Sequence, residues 1–244
     1  RNRYERRKKK KGRRASRGAS AEADVDKRYG SAYIYELVKG LWQETKLRAS
    51  DGASDDLFGY SVAVDGDTVV VGAPDDGTGG DDGSAYVYQF DGSTWIETKL
   101  TANYGTDNDE FGFSVAVSDD IVVVGAPYHN DNGSSSGSVY IYRFDGTDWN
   151  FETKLLASDG EDFDEFGNRV AVTGDTIVGG AHRDDDNSTN TGSVYIYQFD
   201  KSSWDETKLT ADDGEGGDHF GTSVALIDSM IVVGAPNESN NNPG

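Results

Sequence analysis

The chain has 244 residues, with 23 Lys and Arg against 44 Asp and Glu for a net charge of −21, and it contains no Cys. Without Cys there is no disulfide framework, no thiolate zinc ligand and no thiol nucleophile, and no run of about 18 apolar residues is present to cross a bilayer as a helix. The length suits one large domain or two small ones, and the apolar share of 35% is modest, with 31 Gly making up part of the difference.

Charge divides the chain. Residues 1–17 hold eleven Lys and Arg against Glu5 alone, while the remainder holds 12 Lys and Arg against 43 Asp and Glu. The basic segment has almost no apolar residues to offset its ordering entropy, so residues 1–28 are expected to form a disordered arm. Three readings of the arm stay open: a solvated tail, a nucleic-acid or nuclear-import patch, and a segment beside a membrane anchor outside this chain. The acidic body lacks the cations that phosphate contacts need, so no nucleic-acid partner is expected there. The chain opens on Arg1 rather than Met and stops in the Asn-rich residues 240–244, which reads as truncation.

Residues 29–236 then read as one unit repeated. Gly-Ser-x-Tyr-x-Tyr occurs at 30–35, 83–88, 137–142 and 192–197. A Trp leading into Glu-Thr-Lys-Leu follows each time, at Trp42, Trp95, Trp149 and Trp204. Phe-Gly comes next, at Phe58, Phe111, Phe166 and Phe220, spaced 53, 55 and 54 residues apart. Gly-Ala-Pro closes the unit at 72–74, 125–127 and 234–236, with Gly180-Ala181-His182 as the departure. A fixed period of this length marks a propeller or solenoid.

Each unit predicts four short strands. Ser61-Val62-Ala63-Val64 alternates and runs into Asp65-Gly66, a hairpin signal. Residues 68–73 are continuously apolar, as in a strand covered on both faces. Ala85-Tyr86-Val87-Tyr88 places both Tyr on one side, which assigns them to packing rather than to sugar stacking. Asp91-Gly92 is a second hairpin signal, and the polar strand from Trp95 to Leu100 suits an outer edge, where Glu and Lys discourage pairing with another sheet. The expected fold is therefore all-β, a β-propeller of four-stranded antiparallel blades, with a solenoid of hairpins as the alternative. The chain starts on a third strand and ends on a second, giving four blade equivalents. Either the half-blades close a four-bladed ring, or the chain is part of a longer one, which is the favoured reading. Residues 237–244 are read as a truncated tail.

Phe-Gly-x-Ser-Val-Ala followed by Val-Val-Val-Gly-Ala-Pro resembles the FG-GAP repeat, which builds the seven-bladed propeller of integrin α chains. The resemblance covers about 30–236. It implies an extracellular or cell-surface module for adhesion or ligand recognition, often with calcium, and no enzymatic activity. The calcium loop usual to such repeats, between the first and second strands, is missing: Asp65-Gly66-Asp67, Ser118-Asp119-Asp120, Thr173-Gly174-Asp175 and Ile227-Asp228-Ser229 are too short to supply about 6–8 oxygen ligands. No metal or other cofactor is assigned, calcium remaining open at some other position.

The acids gather instead in the loops before Phe-Gly and after Gly-Ala-Pro. Alternate connections of an antiparallel blade share a face, so one rim is expected to be acidic and to bind a protein partner. Its candidate residues are Asp55, Asp56, Asp75, Asp76, Asp109, Glu110, Asp131, Asp164, Glu165, Asp184, Asp185 and Asp218. The plain alternative is soluble turn chemistry, since Asp and Gly are what turns use. Asn132, Asn187 and Asn237 begin N-glycosylation sequons, all in the loops after Gly-Ala-Pro or its equivalent. Catalysis has little to stand on: His129, His182 and His219 lack repeated Ser or Asp partners, and nothing marks any carboxylate pair as perturbed. The alternatives kept beside protein recognition are a glycan- or matrix-binding module assisted by divalent cations, and a propeller appended to an enzyme or a membrane protein.

Overall fold

A computed structural model describes residues 29–77, 82–103, 105, 108–186 and 188–238. The basic arm assigned to 1–28 and most of the tail assigned to 237–244 lie outside them. Sixteen strands follow in order. β1 (Ala32–Val38) and β2 (Leu41–Leu47) form a hairpin. β3 (Ser61–Asp65), β4 (Thr68–Ala73), β5 (Ser84–Phe90) and β6 (Trp95–Thr101) form a four-stranded sheet. So do β7 (Ser114–Ser118), β8 (Ile121–Ala126), β9 (Ser138–Phe144) and β10 (Trp149–Leu155), and then β11 (Arg169–Thr173), β12 (Thr176–Ala181), β13 (Ser193–Phe199) and β14 (Trp204–Leu209). The hairpin of β15 (Ser223–Ile227) and β16 (Met230–Gly234) closes the series. Every pairing is antiparallel, each strand beside its chain neighbour, and the described residues contain no helix.

Local chemistry sets these elements. The connections from first to second strand are two residues long, and their first residues, Gly66, Asp119, Gly174 and Asp228, all have φ near +50°, the left-handed geometry of tight hairpins that match strand twist. In the turn between third and fourth strands, Asp91 Oδ1 accepts from the amides of Ser93 and Thr94, both at 2.8 Å. Asp145 and Asp200 repeat the pattern; the amide bonds hold Asp91 and Asp145 below the ordinary carboxylate range, and the Ser202 hydroxyl, at 2.7 Å, followed by the amides does so for Asp200. The third unit carries one extra residue between Trp149 and Thr153. It is absorbed as a bulge in β10, where the register shifts between Phe151 and Thr153.

The first strands β3, β7, β11 and β15 lie side by side, so the sheets fan about an axis as propeller blades. The core sits between blades rather than within one. Phe111 meets Tyr140 edge-on with centroids 5.1 Å apart, and Phe166 meets Tyr195 at 5.3 Å. The half-blades stay apart among the described residues: β1 pairs only β2 and β16 only β15. Burial registers this directly. Val115 in β7 is 8% exposed, but its counterpart Val62, at the open end of the arc, is 62% exposed.

The Glu and Lys of the fourth strand do more than guard an edge. Glu97 accepts from Tyr88 Oη at 2.8 Å and from Ser50 Oγ of the preceding connection at 2.6 Å, and Glu206 does the same with Tyr197 and Ser158. They fasten the first and third whole blades to the connections that precede them, whereas Glu152 of the middle blade accepts from Arg143 Nε at 2.6 Å and from Trp204 Nε1 of the next blade at 3.1 Å.

Candidate ligand-recognition face

Two kinds of loop meet at one end of the fan. Gly83 bridges Phe111 in parallel fashion, as Gly30 does Phe58 and Gly137 does Phe166. Amides of the loop before Phe-Gly then bond to carbonyls of the loop after the preceding second strand: Glu165 N to Ser135 O at 3.0 Å, Phe166 N to Ser136 O at 2.9 Å, and Phe220 N to Thr191 O at 2.9 Å. The loops from second to third strands and from fourth to first strands thus form one continuous hydrogen-bonded surface.

A backbone device recurs there. The residue before each Phe-Gly, namely Leu57, Glu110, Glu165 and His219, has φ between 53° and 56°, a strained value for non-Gly residues. The loop is held by the acid one place earlier. Asp164 Oδ2 accepts from Glu161 N at 2.7 Å, Asp218 Oδ2 from Glu215 N at 2.7 Å, and Asp56 from Ala53 N. These acids are buried. Burial raises Asp164 to about 6 and raises Asp56 as well.

Beside each loop stands a second cluster. Tyr86 Oη donates to Asp51 at 2.8 Å and to Asp76, and Lys99 Nζ lies 2.7 and 2.8 Å from the same two carboxylates. Tyr195 and Lys208 repeat this with Asp159 and Asp184, at 2.8 to 2.9 Å. Burial and the neighbouring acids push both Tyr hydroxyls far up, so they stay protonated donors. Burial works against ionisation of Asp51, but the bonds from Lys99 and Tyr86 outweigh it and hold the acid low. A cleft of about 460 Å³ opens here, lined by Asp51, Asp56, Asp76 and Lys99. The middle blade departs. His129 occupies the place of Asp76, and by sequence Tyr104, outside the described residues, takes the place of Asp51. Among the described residues, Tyr140 Oη is buried without a hydrogen-bond partner.

The twelve acids expected on this rim therefore differ in kind. Asp55, Asp131 and Asp185 are exposed, and Asp75, Asp76 and Glu110 are half-buried. Asp56, Asp109, Asp164, Glu165, Asp184 and Asp218 are buried, and the bonds given above make Asp56, Asp164, Asp184 and Asp218 braces of the loops. Asn132 is exposed, although its Nδ2 donates to Ala157 O at 2.8 Å; Asn237 is exposed; Asn187 lies outside the described residues.

The middle of the face holds residues that charge patterning did not single out. Tyr60 and Phe113, directly after Phe-Gly, stack 4.9 Å apart; Tyr128 meets Phe113 edge-on, and Arg169 lies 5.7 Å over the Phe113 ring. Arg183 pairs with Glu165 at 2.8 Å. His182 and His219 stack at 5.6 Å, and burial, then the charges of Arg183 and His219, lowers His182 to about 4. The available signal was variation: these positions differ from copy to copy while their neighbours repeat.

The FG-GAP repeat family matches residues 42–88, 95–142, 149–197 and 204–244. Each matched stretch starts on a fourth strand and ends beyond the first strand of the next blade, so the repeat is staggered against the blade and ties neighbours together. Human (Homo sapiens) Integrin alpha-E is 33% identical over 148 residues, covering 51% of this chain and 13% of that protein.

Proposed function

The chain belongs to the FG-GAP repeat family, and from that premise we propose that its propeller is an extracellular or cell-surface module that binds a protein partner and carries out no catalysis. The observation that carries this reading is the continuous loop face, with repeated braces at its margins and a copy-to-copy varying centre of Tyr60, Phe113, Tyr128, Arg169 and Arg183. Rigid elements that present varied aromatic and Arg side chains suit protein recognition. The similarity to Integrin alpha-E agrees with it. Exposed Asp55, Asp131 and Asp185 add acidic contacts at the margin, and Asn132 and Asn237 are the glycosylation candidates among the described residues. The glycan reading draws no support from the Tyr rows, since Tyr86, Tyr140 and Tyr195 are buried between blades.

The test is solid-phase binding of the chain to a panel of purified extracellular-matrix proteins and, separately, matrix polysaccharides. Saturable binding to a protein, weakened about tenfold or more by Tyr60→Ala or Arg183→Ala and unaffected by Lys201→Ala in a turn on the opposite face, is the expected result. Retention on polysaccharide alone would favour the glycan module instead.

A further inference from the structure

Three departures from the repeat fall in one blade, at Arg169, His182 and Arg183. The first residue of each first strand pairs with the Gly that precedes Ala in the second strand or just after it: Ser61 with Gly72, Ser114 with Gly125, Ser223 with Gly234, and Arg169 with Gly180. In the first two cases the Ser ties its blade to the next, Ser61 Oγ donating to Gly112 O at 2.8 Å and Ser114 Oγ to Gly167 O at 2.7 Å. Arg169 gives up that hydroxyl. Two residues past Gly180, His182 holds the place of Pro74, Pro127 and Pro236, and Arg183 follows it in the place of Asp75, Tyr128 and Asn237. Places where a sequence breaks its own structural pattern are where functional sites are expected.

The three side chains converge. Arg169 is exposed, its Cζ lies 5.7 Å over the Phe113 ring, and its Nη1 donates to the Asn168 carbonyl at 2.7 Å. It makes no ion pair among the described residues. Arg183, with 47% of its side chain exposed, pairs through Nη1 with the buried Glu165 at 2.8 Å, which engages only part of its five-donor fork. After burial, the charges of Arg183, His219 and Arg169 lower His182, so both guanidinium groups act on one ring. Tyr60 stacks on Phe113, and Tyr128 meets the same ring edge-on. Two arginines thus stand beside an aromatic patch, although residues 18–244 hold only 12 Lys and Arg against 43 Asp and Glu.

We propose that Arg169 and Arg183 form a seat for the side-chain carboxylate of one Asp or Glu of a protein partner, with Tyr60, Phe113 and Tyr128 packing against the apolar stem beside it. The proposal rests on the reading of this face as a protein-binding surface and names the chemistry it recognises. A guanidinium fork takes a carboxylate in bidentate fashion, and aromatic side chains beside it exclude water, which strengthens the pair. A dense polyanion such as a sulfated polysaccharide suits the place less well. Glu165 already sits against Arg183, and Asp55, Asp131 and Asp185 are exposed at the margin, so negative charge beyond a single carboxylate is repelled.

Nuclear magnetic resonance of the isotopically labelled 244-residue chain tests this with two small probes, N-acetyl-glutamate N-methylamide and its glutamine counterpart. The Nε–H signals of Arg169 and Arg183 are expected to move saturably with the glutamate probe at about millimolar concentration and to ignore the glutamine one, while that of Arg143, already paired with Glu152, stays in place. Arg169→Ser restores the residue of the other blades and so keeps the fold; with it, and with Arg183→Gln, affinity for the glutamate probe should fall about tenfold or more. No response to the glutamate probe, an equal response to both probes, or a response that survives both substitutions overturns the proposal. So does retention of the chain on heparin that Arg169→Ser abolishes, which would give the seat to a sulfated glycan. The probes do not depend on the matrix panel, so the two readings fail separately. A panel protein that binds through Tyr60 but is indifferent to Arg169→Ser and Arg183→Gln removes the seat alone. A seat that takes the glutamate probe while no panel protein binds upholds the carboxylate chemistry and counts against the protein reading.

Discussion

Gly125 lies against Gly167 so closely that a Cβ on Gly125 would stand 2.0 Å from the Gly167 carbonyl oxygen. One belongs to the second strand of a blade and the other to the Phe-Gly turn that starts the next. Ser114 Oγ donates to the same carbonyl at 2.7 Å. Gly72 meets Gly112 in the same way at 1.9 Å, and Gly180 meets Gly221 at 2.2 Å. The recurrent Gly of Gly-Ala-Pro is thus the point where successive blades touch backbone to backbone.

Gly125→Ala should therefore force two blades apart and cost about 3 kcal/mol or more. Gly234→Ala is the internal control. Its added Cβ would crowd the Ser223 hydroxyl, which can rotate, and would stand at ordinary contact distance, 3.9 Å, from the Ser223 carbonyl oxygen, so the expected cost is under about 1 kcal/mol. Urea denaturation followed by tryptophan fluorescence measures both. Equal losses would show that the contact is not what fixes the blade spacing.

The two kinds of Tyr cluster give a second contrast. Tyr195→Phe removes a hydroxyl that serves Asp159 and Asp184, and is expected to cost about 1–2 kcal/mol. Tyr140→Phe removes a buried hydroxyl that has no partner among the described residues, so it should be neutral or stabilising by up to about 1 kcal/mol. Chemical denaturation of the two variants side by side decides it; a loss at Tyr140 as large as that at Tyr195 would mean its hydroxyl is satisfied in solution.

Acidification engages two groups of opposite sign. Asp164 is raised to about 6 by burial, so the folded state holds its proton more tightly than the unfolded chain does. Its linkage adds stability as pH falls from about 6 toward 4. His182 is lowered to about 4 by burial, so the unfolded chain takes up its proton first, and stability is lost over the range from about 6.5 down to 4. The two linkages partly cancel. Asp164→Asn keeps an acceptor for Glu161 N and removes one of them, so stability of the variant should fall more steeply between pH 6 and 4 than that of the parent chain. An unchanged slope would place the Asp164 titration near that of an ordinary carboxylate.

The architecture was legible because hydrophobic alternation, hairpin dipeptides and a period near 54 residues all describe a blade, and blade-to-blade packing follows from repetition. The role of Glu97 was not, because a polar outer strand reads as edge protection until the preceding blade brings Ser50 to it. The rim was legible only as charge. Which acids face solvent depends on loop closure: Asp164 and Asp218 turn inward to cap the amides of Glu161 and Glu215, whereas Asp185 remains exposed. The centre of the face was not legible, since Tyr60, Tyr128 and Arg183 come together across three different loops.

Hydrogen exchange of the chain, alone and with whichever matrix protein the binding panel retains, tests the central claim most directly. The expected result is slowed exchange confined to the amides around Tyr60, Phe113, Tyr128 and Arg183, with the turns at Asp91, Asp145 and Asp200 unchanged. Protection centred on those turns, or on the outer strands β6, β10 and β14, would contradict the assignment of recognition to this face.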